Sequence, residues 1–498
     1  MSRRQLLAAG TTGLIATAAV PPTAGASRRR SGAADGTPEQ IHLTWGDDPA
    51  RAVVVSWASP GRAVAPRVRI GQRVIPAVER GYADPAGGEV AWTYHAQVDG
   101  LRPGATYGYA VTADNDRNAV DPFSATFRTA PEGRAAFRFT SFGDLAAPGA
   151  GWAGAGGVGS ASQCAYAVGA VEAFQPLFHL LNGEQADAGA VPAAQPQAGR
   201  EFANQLQASA AYRPWLPVPA GHGAEPAERE RALGHYLARY SLPGNGVAGF
   251  EGRWYGFRVG TAAFLCLSGD DVRSGYSGGA QTRWLETALA AARGDASIDW
   301  VVVQLHQCAC SSSPAVDDDA GPGIRRQWLP LFDRYEVDLV LCGHSAGYER
   351  SFPVRGFDSA GPLRPHPVTT VDSGVFDTSQ GTVHLALGGA VVGGGAGVRG
   401  GAGVGGGAGA GDAAWSARRD AAGGYGVAVF DVNPGAEAGA QTSITVRYYH
   451  AVGAEPGADP EGGGTTDDYA LFDTFTLVRP RSDGRRWHPR EPVAFNLA

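Results

Sequence analysis

Five apolar runs in this chain each stop at a residue able to ligate a metal or move a proton. They are FRFTSFGD ending at Asp144, PLFHLLNGE at Glu184, PWLPVPAGH at His222, WVVVQLHQ at His306 and VDLVLCGH at His344. Carboxylates and imidazoles are the donors of hydrolytic metal centres, and they also serve as general acids and bases near neutral pH. A single histidine after an apolar strand is usually a packed or turn residue, and His179 inside FHLLNG is read that way. Five polar stops in succession ask for a shared purpose.

To act together, the five runs must be strands whose ends meet. Between them lie helical patterns such as GAQTRWLETALAAAR, with Trp284, Leu285 and Leu289 spaced for one face, and RRQWLPLFDRY. Strands alternating with helices predict an α/β sheet, in which ligands sit outside the carboxyl ends of the strands. Near the C-terminus YGVAVFDV, QTSITVRYYH and FDTFTLV read as strands that complete the sheets. The tract at residues 387–411 is Gly-rich, but no Lys-Ser or Lys-Thr follows, so it reads as a loop rather than a phosphate cradle. Asp317, Asp318 and Asp319 read as a surface acidic turn.

Upstream the texture is different. IHLTWGD, AVVVSWAS, RVRIG, VAWTYHAQVDGL, TYGYAVTAD and FSATFRTA are short β-branched and aromatic runs punctuated by turn residues, the pattern of an all-β sandwich over residues 38–132. A Pro- and Gly-bearing joint follows, so residues 38–130 are expected to fold on their own. The chemistry belongs to residues 136–480, with 481–498 as a tail. Before the sandwich, residues 1–26 place Arg3 and Arg4 ahead of a moderately apolar stretch and small residues at Ala24–Ala26, followed by an Arg-, Ser- and Gly-rich linker at 27–37. This is the pattern of a secretory signal, and Ser2, Arg3, Arg4, Leu6 and Leu7 resemble a twin-arginine signal, which exports folded proteins.

Composition narrows the function classes. A chain of 498 residues with 44% apolar residues can build more than one domain core. A formal net charge of -7 gives no basic footprint, so nucleic acid is not expected as a partner. No segment is long and apolar enough to predict stable membrane insertion. Five cysteines are odd in number and too sparse for a disulfide framework.

SFGD, FHLLNGE, RPWLP, WVVVQLHQ, SGYSGGAQTRWLE and GHSAGYERS together resemble the purple acid phosphatase branch of the metallophosphoesterases. VDGLRPGATYGYAV resembles a fibronectin type III module of the kind that precedes such catalytic domains. The resemblance implies a multidomain chain: an all-β fibronectin III-like sandwich, then an α/β metallophosphoesterase domain layered α/β/β/α with mixed sheets. It also implies hydrolysis of small phosphate esters by two ions of iron, zinc or manganese type that share a bridging carboxylate and activate a hydroxide.

Carried over residue by residue, the resemblance implies Asp144, Glu184, Asp187, His306 and His344 as metal ligands and His222 as the group that positions the ester or protonates the leaving group. Several positions depart from the family pattern. Glu184 replaces the bridging aspartate, Asp187 a tyrosine ligand, Gly221 an asparagine ligand and Ala346 the second histidine of a Gly-His-x-His-x-Tyr-Glu-Arg motif. An alternative alignment puts His222 on the asparagine position and makes it a ligand. One metal position keeps oxygen donors and favours an ion such as manganese or calcium; the other keeps Glu184, His306 and His344. Two readings follow: a secreted phosphoesterase with a weakened dinuclear centre, or a catalytically silent relative that binds phosphate or a polymer.

Overall fold

The computed structural model describes residues 36–83, 90–114, 121–146, 161–185, 195–220, 226–312, 320–345, 347–358, 364–388, 413–420, 426–451, 466–491 and 494–495. The export signal, Asp317 to Asp319 and the Gly-rich tract beyond Gly388 lie outside them. Among the described residues no helix is long and apolar enough to cross a membrane.

Two four-stranded antiparallel sheets come first. One runs in the order Glu39–Thr44, Val53–Ser59, Val90–Val98, Val78–Ala83, and the other Arg73–Pro76, Val64–Ile70, Thr106–Asp114, Phe123–Arg128. Their inner faces hold Trp57, Val68, Tyr94, Val111 and Phe127, all buried. The alternation in FSATFR, where Ala125 and Phe127 are buried between exposed neighbours, is the mark of a sheet with one solvated face.

Two seven-stranded mixed sheets follow. In the first, Trp215–Pro219, Phe178–Gln185 and Phe137–Ala146 are parallel, and Gly426–Asn433, Gln441–Ala451 and Tyr469–Pro480 continue the sheet antiparallel. In the second, Ala262–Cys266, Trp300–Leu305, Leu339–Cys342 and Val383–Leu387 are parallel. Every residue of these last four strands is buried, because both faces are covered, which is why, apart from Gln304 and His384, they read as apolar runs. Phe139, Phe178, Phe264 and Phe430 form an aromatic layer between the sheets, with Phe139 and Phe430 stacked at 4.4 Å and Phe139 meeting Phe264 edge-on at 5.3 Å.

Helices cover the outer faces. Ala161–Phe174 and Gln195–Ala210 pack on the first sheet around Phe142, Leu181 and Trp215. Ala280–Gly294 buries Leu285, Leu289 and Ala292 on the second, as its spacing predicts. RRQWLPLFDRY splits into Ala320–Gln327 and Leu329–Arg334, because Pro330 has no N–H to continue a helix but suits the first turn of a new one. The result is an α/β/β/α layering behind an all-β module, the architecture expected from the sequence.

The expected independence of residues 38–130 meets a different arrangement: residues 34–498 form one compact unit with a continuous core. Trp45, fully buried, lies against Phe178 at 4.9 Å and Phe257 at 5.8 Å, both in the α/β part. Tyr109 Oη donates to the Ala211 carbonyl at 2.7 Å, and Gln207 Oε1 accepts from the Ile41 N–H at 2.9 Å. His95 Nε2 lies 3.0 Å from the Ala238 carbonyl, and burial pushes that ring down to about 3, so it is held neutral. Exposing Trp45 alone forfeits about 2–3 kcal/mol of burial, and each lost hydrogen bond about 1 kcal/mol more. Expressed alone, residues 38–130 are therefore expected to melt well below the whole chain. A fragment that unfolds cooperatively at the whole chain's temperature, followed by circular dichroism, would contradict this.

Candidate metal centre

Parallel strands present their carboxyl ends on one edge, and all five apolar runs form strands that are parallel within their sheet. His306 follows Trp300–Leu305 directly, and His344 lies two residues beyond Leu339–Cys342. Asp144 and Glu184 occupy the ends of Phe137–Ala146 and Phe178–Gln185, where Glu184 pairs in register with Leu145. Their backbones are described and their side chains are not. Asp187, Gly221, His222 and Ala346 lie outside the described residues.

Glycines allow the two sheets to meet at this edge. A Cβ on Gly143 would come within 3.0 Å of the Gly343 Cα, closer than real Cβ atoms approach, and one on Gly343 would collide with the Asn182 carbonyl and His306 Nδ1. Gly183, at φ +114°, presses its backbone against the same imidazole. Gly143 also bridges to Gly388. Gly143 and Gly343, which precede Asp144 and His344, are thus packed against each other and against the Asn182 main chain, while Gly183, which precedes Glu184, lies against the His306 ring, approaches that only glycine permits.

The two described imidazoles come together here. His306 is fully buried, and its Nδ1–H donates to the Asn182 carbonyl at 3.0 Å, which leaves the lone pair on Nε2. His344 Nδ1 stands 3.2 Å from that Nε2, with the rings 4.9 Å apart and edge-on. Two nitrogens bound to one ion at about 2.05 Å and the tetrahedral angle are separated by roughly 3.3 Å. The pair has the bite a transition ion requires, and the carbonyl behind His306 orients its ring as the backing group of a metal-bound histidine does. The same separation also suits a hydrogen bond from His344 Nδ1–H. Among the described residues no group of three or more His, Cys, Asp or Glu side chains gathers as a metal site. These imidazoles fit an ion of zinc or iron type, and oxygen donors must complete it.

Residues outside the predicted set hold this edge in place. Gln307 Nε2 donates to the Ala220 carbonyl at 3.2 Å, which ties the segment leading to His222 against the one carrying His306. Buried Glu349 accepts from Ser312 N, Ser312 Oγ and Ser416 Oγ, each at 2.7 Å, and from Ser311 Oγ at 3.2 Å, and so fixes the loop that follows His306. Tyr348 Oη and Arg350 Nε both donate to Asp473 Oδ2 at 2.7 Å. Burial, with Asp473 beside it, pushes the Tyr348 phenol well above its ordinary range, so it stays protonated. Tyr-Glu-Arg was read only as the tail of a ligand motif, and that motif was the signal that could have marked these three as its supports. His179 is a packed strand residue, with its Nδ1 2.9 Å from Thr140 Oγ1 and its ring 4.2 Å from those of Phe142 and Trp215. Cys266, Cys308, Cys310 and Cys342 are buried, and no disulfide joins any two of them.

Relatives share both the sequence and the layout. The family model for the purple acid phosphatase N-terminal domain matches residues 38–130. An uncharacterized protein of Mycobacterium tuberculosis is 36% identical over 514 residues, covering 95% of this chain and 93% of that one. Acid phosphatase type 7 of Homo sapiens is 27% identical over 39% of this chain and 43% of its own. The purple acid phosphatase of yellow lupin (Lupinus luteus) seeds superposes with a TM-score of 0.61 at 17% identity, over 90% of this chain and 75% of that one. The chain belongs to the purple acid phosphatase family. Purple acid phosphatases use a dinuclear metal centre, and the edge where the two sheets meet is where this chain brings two imidazoles together.

Proposed function

We propose that this purple acid phosphatase relative is a secreted phosphomonoesterase with a centre remodelled at several ligand positions. His306, His344 and Glu184 hold one ion, Asp144, Glu184 and Asp187 the other, and His222 positions the ester and protonates the leaving oxygen. Bound there, divalent cations supply Lewis acidity toward water and neutralise charge on the phosphoryl group. His306 Nδ1–H, anchored on the Asn182 carbonyl, keeps Nε2 unprotonated and aimed at the edge. Glu349 fixes Ser311 and Ser312 where the chain leaves His306. Arg3 and Arg4 direct export after folding, so the metal is loaded before secretion.

The observation that carries the reading is the 3.2 Å approach of two imidazole nitrogens at the edge where the strands end. Support for the substrate class comes from the Allium cepa relative, 25% identical over 64% of either chain and named phosphoenolpyruvate phosphatase, since that compound is a phosphate monoester. The test is metal content after purification without chelators, together with hydrolysis of a chromogenic phosphate monoester. About one tightly held transition ion per chain is expected, with weaker occupancy at the all-oxygen position. His344→Ala should remove both the tight ion and the turnover. A folded, metal-free protein with no hydrolysis would overturn the proposal in favour of the silent phosphate-binding reading.

A further inference from the structure

At the amino-terminal edge of the second sheet lies a pocket of about 280 Å³, lined by Arg293, Arg479, Ser482, Arg485, Arg486, Trp487 and their neighbours. The strand Trp300–Leu305 starts near this edge, so the pocket is roughly 20 Å from His306 by the rise of six residues. No acidic side chain lines it. Behind it, two carboxylates serve four guanidiniums. Asp338 pairs with Arg293 at 2.5 Å and with Arg479, and Glu336 pairs with Arg479 at 3.3 Å, Arg485 at 2.7 Å and Arg490 at 2.8 Å. Arg486 has no carboxylate partner among the described residues. Positive charge therefore exceeds negative by three around the pocket, although Arg293 and Arg479 are 4% and 2% exposed.

Two buried donors there are unsatisfied: Arg479 Nε and Trp487 Nε1 have no hydrogen-bond partner among the described residues. Buried and half-buried guanidiniums, four here against two carboxylates, are favoured by an anion that completes them, and planar N–H forks match tetrahedral oxyanions. The pocket falls below the usual range for drug-sized ligands or cofactors, about 300–1,000 Å³. We propose that it is a binding site for a small tetrahedral oxyanion, inorganic phosphate or sulfate, separate from the metal edge. Burial, reinforced by Arg479, lowers the Arg293 guanidinium to about 10, the direction a counter-anion would reverse.

The test is calorimetric titration of the full chain with phosphate, sulfate and glycerol phosphate in chelator-treated buffer at constant ionic strength. Saturable binding of phosphate and sulfate is expected, unchanged in His344→Ala and weakened at least tenfold in Arg486→Glu, an exposed position whose change leaves the buried pairs intact. Arg486→Lys should keep most of the affinity. No saturable binding, or binding indifferent to Arg486→Glu in a variant that folds by circular dichroism, would overturn the site. Loss of binding in His344→Ala would assign the anion to the metal edge instead. Equal affinity for glycerol phosphate would overturn the enclosed free-anion site in favour of an open phosphoryl-binding surface.

Discussion

A variant carrying Ala346→His, Gly221→Asn and Glu184→Asp is expected to bind about two equivalents of transition metal and to hydrolyse a chromogenic phosphate monoester at least ~100-fold faster than the parent, about 2.7 kcal/mol in barrier. Two of the changes supply donors that the family pattern places at 221 and 346, and the third shortens the carboxylate at 184. The new imidazole stands two residues from His344, the amide precedes His222, and the shorter bridge lets the ions approach to roughly 3.5 Å. The frame for them is present, since His306 and His344 already hold an ion's bite at 3.2 Å. The three changes should act far from additively, because both ions are needed to orient and activate one nucleophile. His344→Ala in the same background should abolish the gain. Metal analysis and a plate assay check both arms, and a folded triple variant with unchanged metal content and rate would show that the strand ends do not converge on a common centre.

The second large effect is on stability. Asp338, fully buried, accepts from Val301 N at 2.7 Å and Thr378 Oγ1 at 2.6 Å and pairs with both Arg293 and Arg479. Asp338→Ala leaves two buried guanidiniums short of a counter-charge, a loss of about 3–5 kcal/mol. The variant should melt several degrees lower, with Asp338→Asn in between. Burial alone would raise this carboxyl, but Arg293 and Arg479 more than offset it and hold it below the usual range. A depressed folded value contributes stability above the unfolded value of about 3.9, and that contribution is lost as pH falls through the folded one. The gap between Asp338→Asn and the parent should therefore be full at neutral pH and shrink in acid below about pH 4. A gap independent of pH would assign the loss to packing.

The strand ends were legible because a strand buried on both faces is mostly apolar, so the end of the apolar run marks the edge even where a single polar residue such as Gln304 lies inside it. His306 and His344 stood out on that ground, and the resemblance supplied their role. Their supports did not, because they depend on residues far apart in sequence: Glu349 meets Ser416 across 67 positions and Arg350 meets Asp473 across 123. Trp45 was hidden for the opposite reason, since a tryptophan in a sandwich strand looks the same whether it faces its own core or a neighbour's. Arg485 and Arg486 read as a solvated tail because a charge run carries no sign of the pocket behind it.

Gly143 and Gly343 press against each other and against the Asn182 main chain, and this bears on how such an edge changes over time. The spacing between the two halves of the edge is set by main chain pressed against main chain, so it does not depend on which side chains project beyond it. Replacing a donor at 144, 184 or 344 alters what the edge can hold while the frame keeps its dimensions; replacing Gly143 or Gly343 would wedge the sheets apart and erase the site at once. Ligand identity is therefore free to vary and geometry is not, so a donor at this edge can be exchanged by a single substitution.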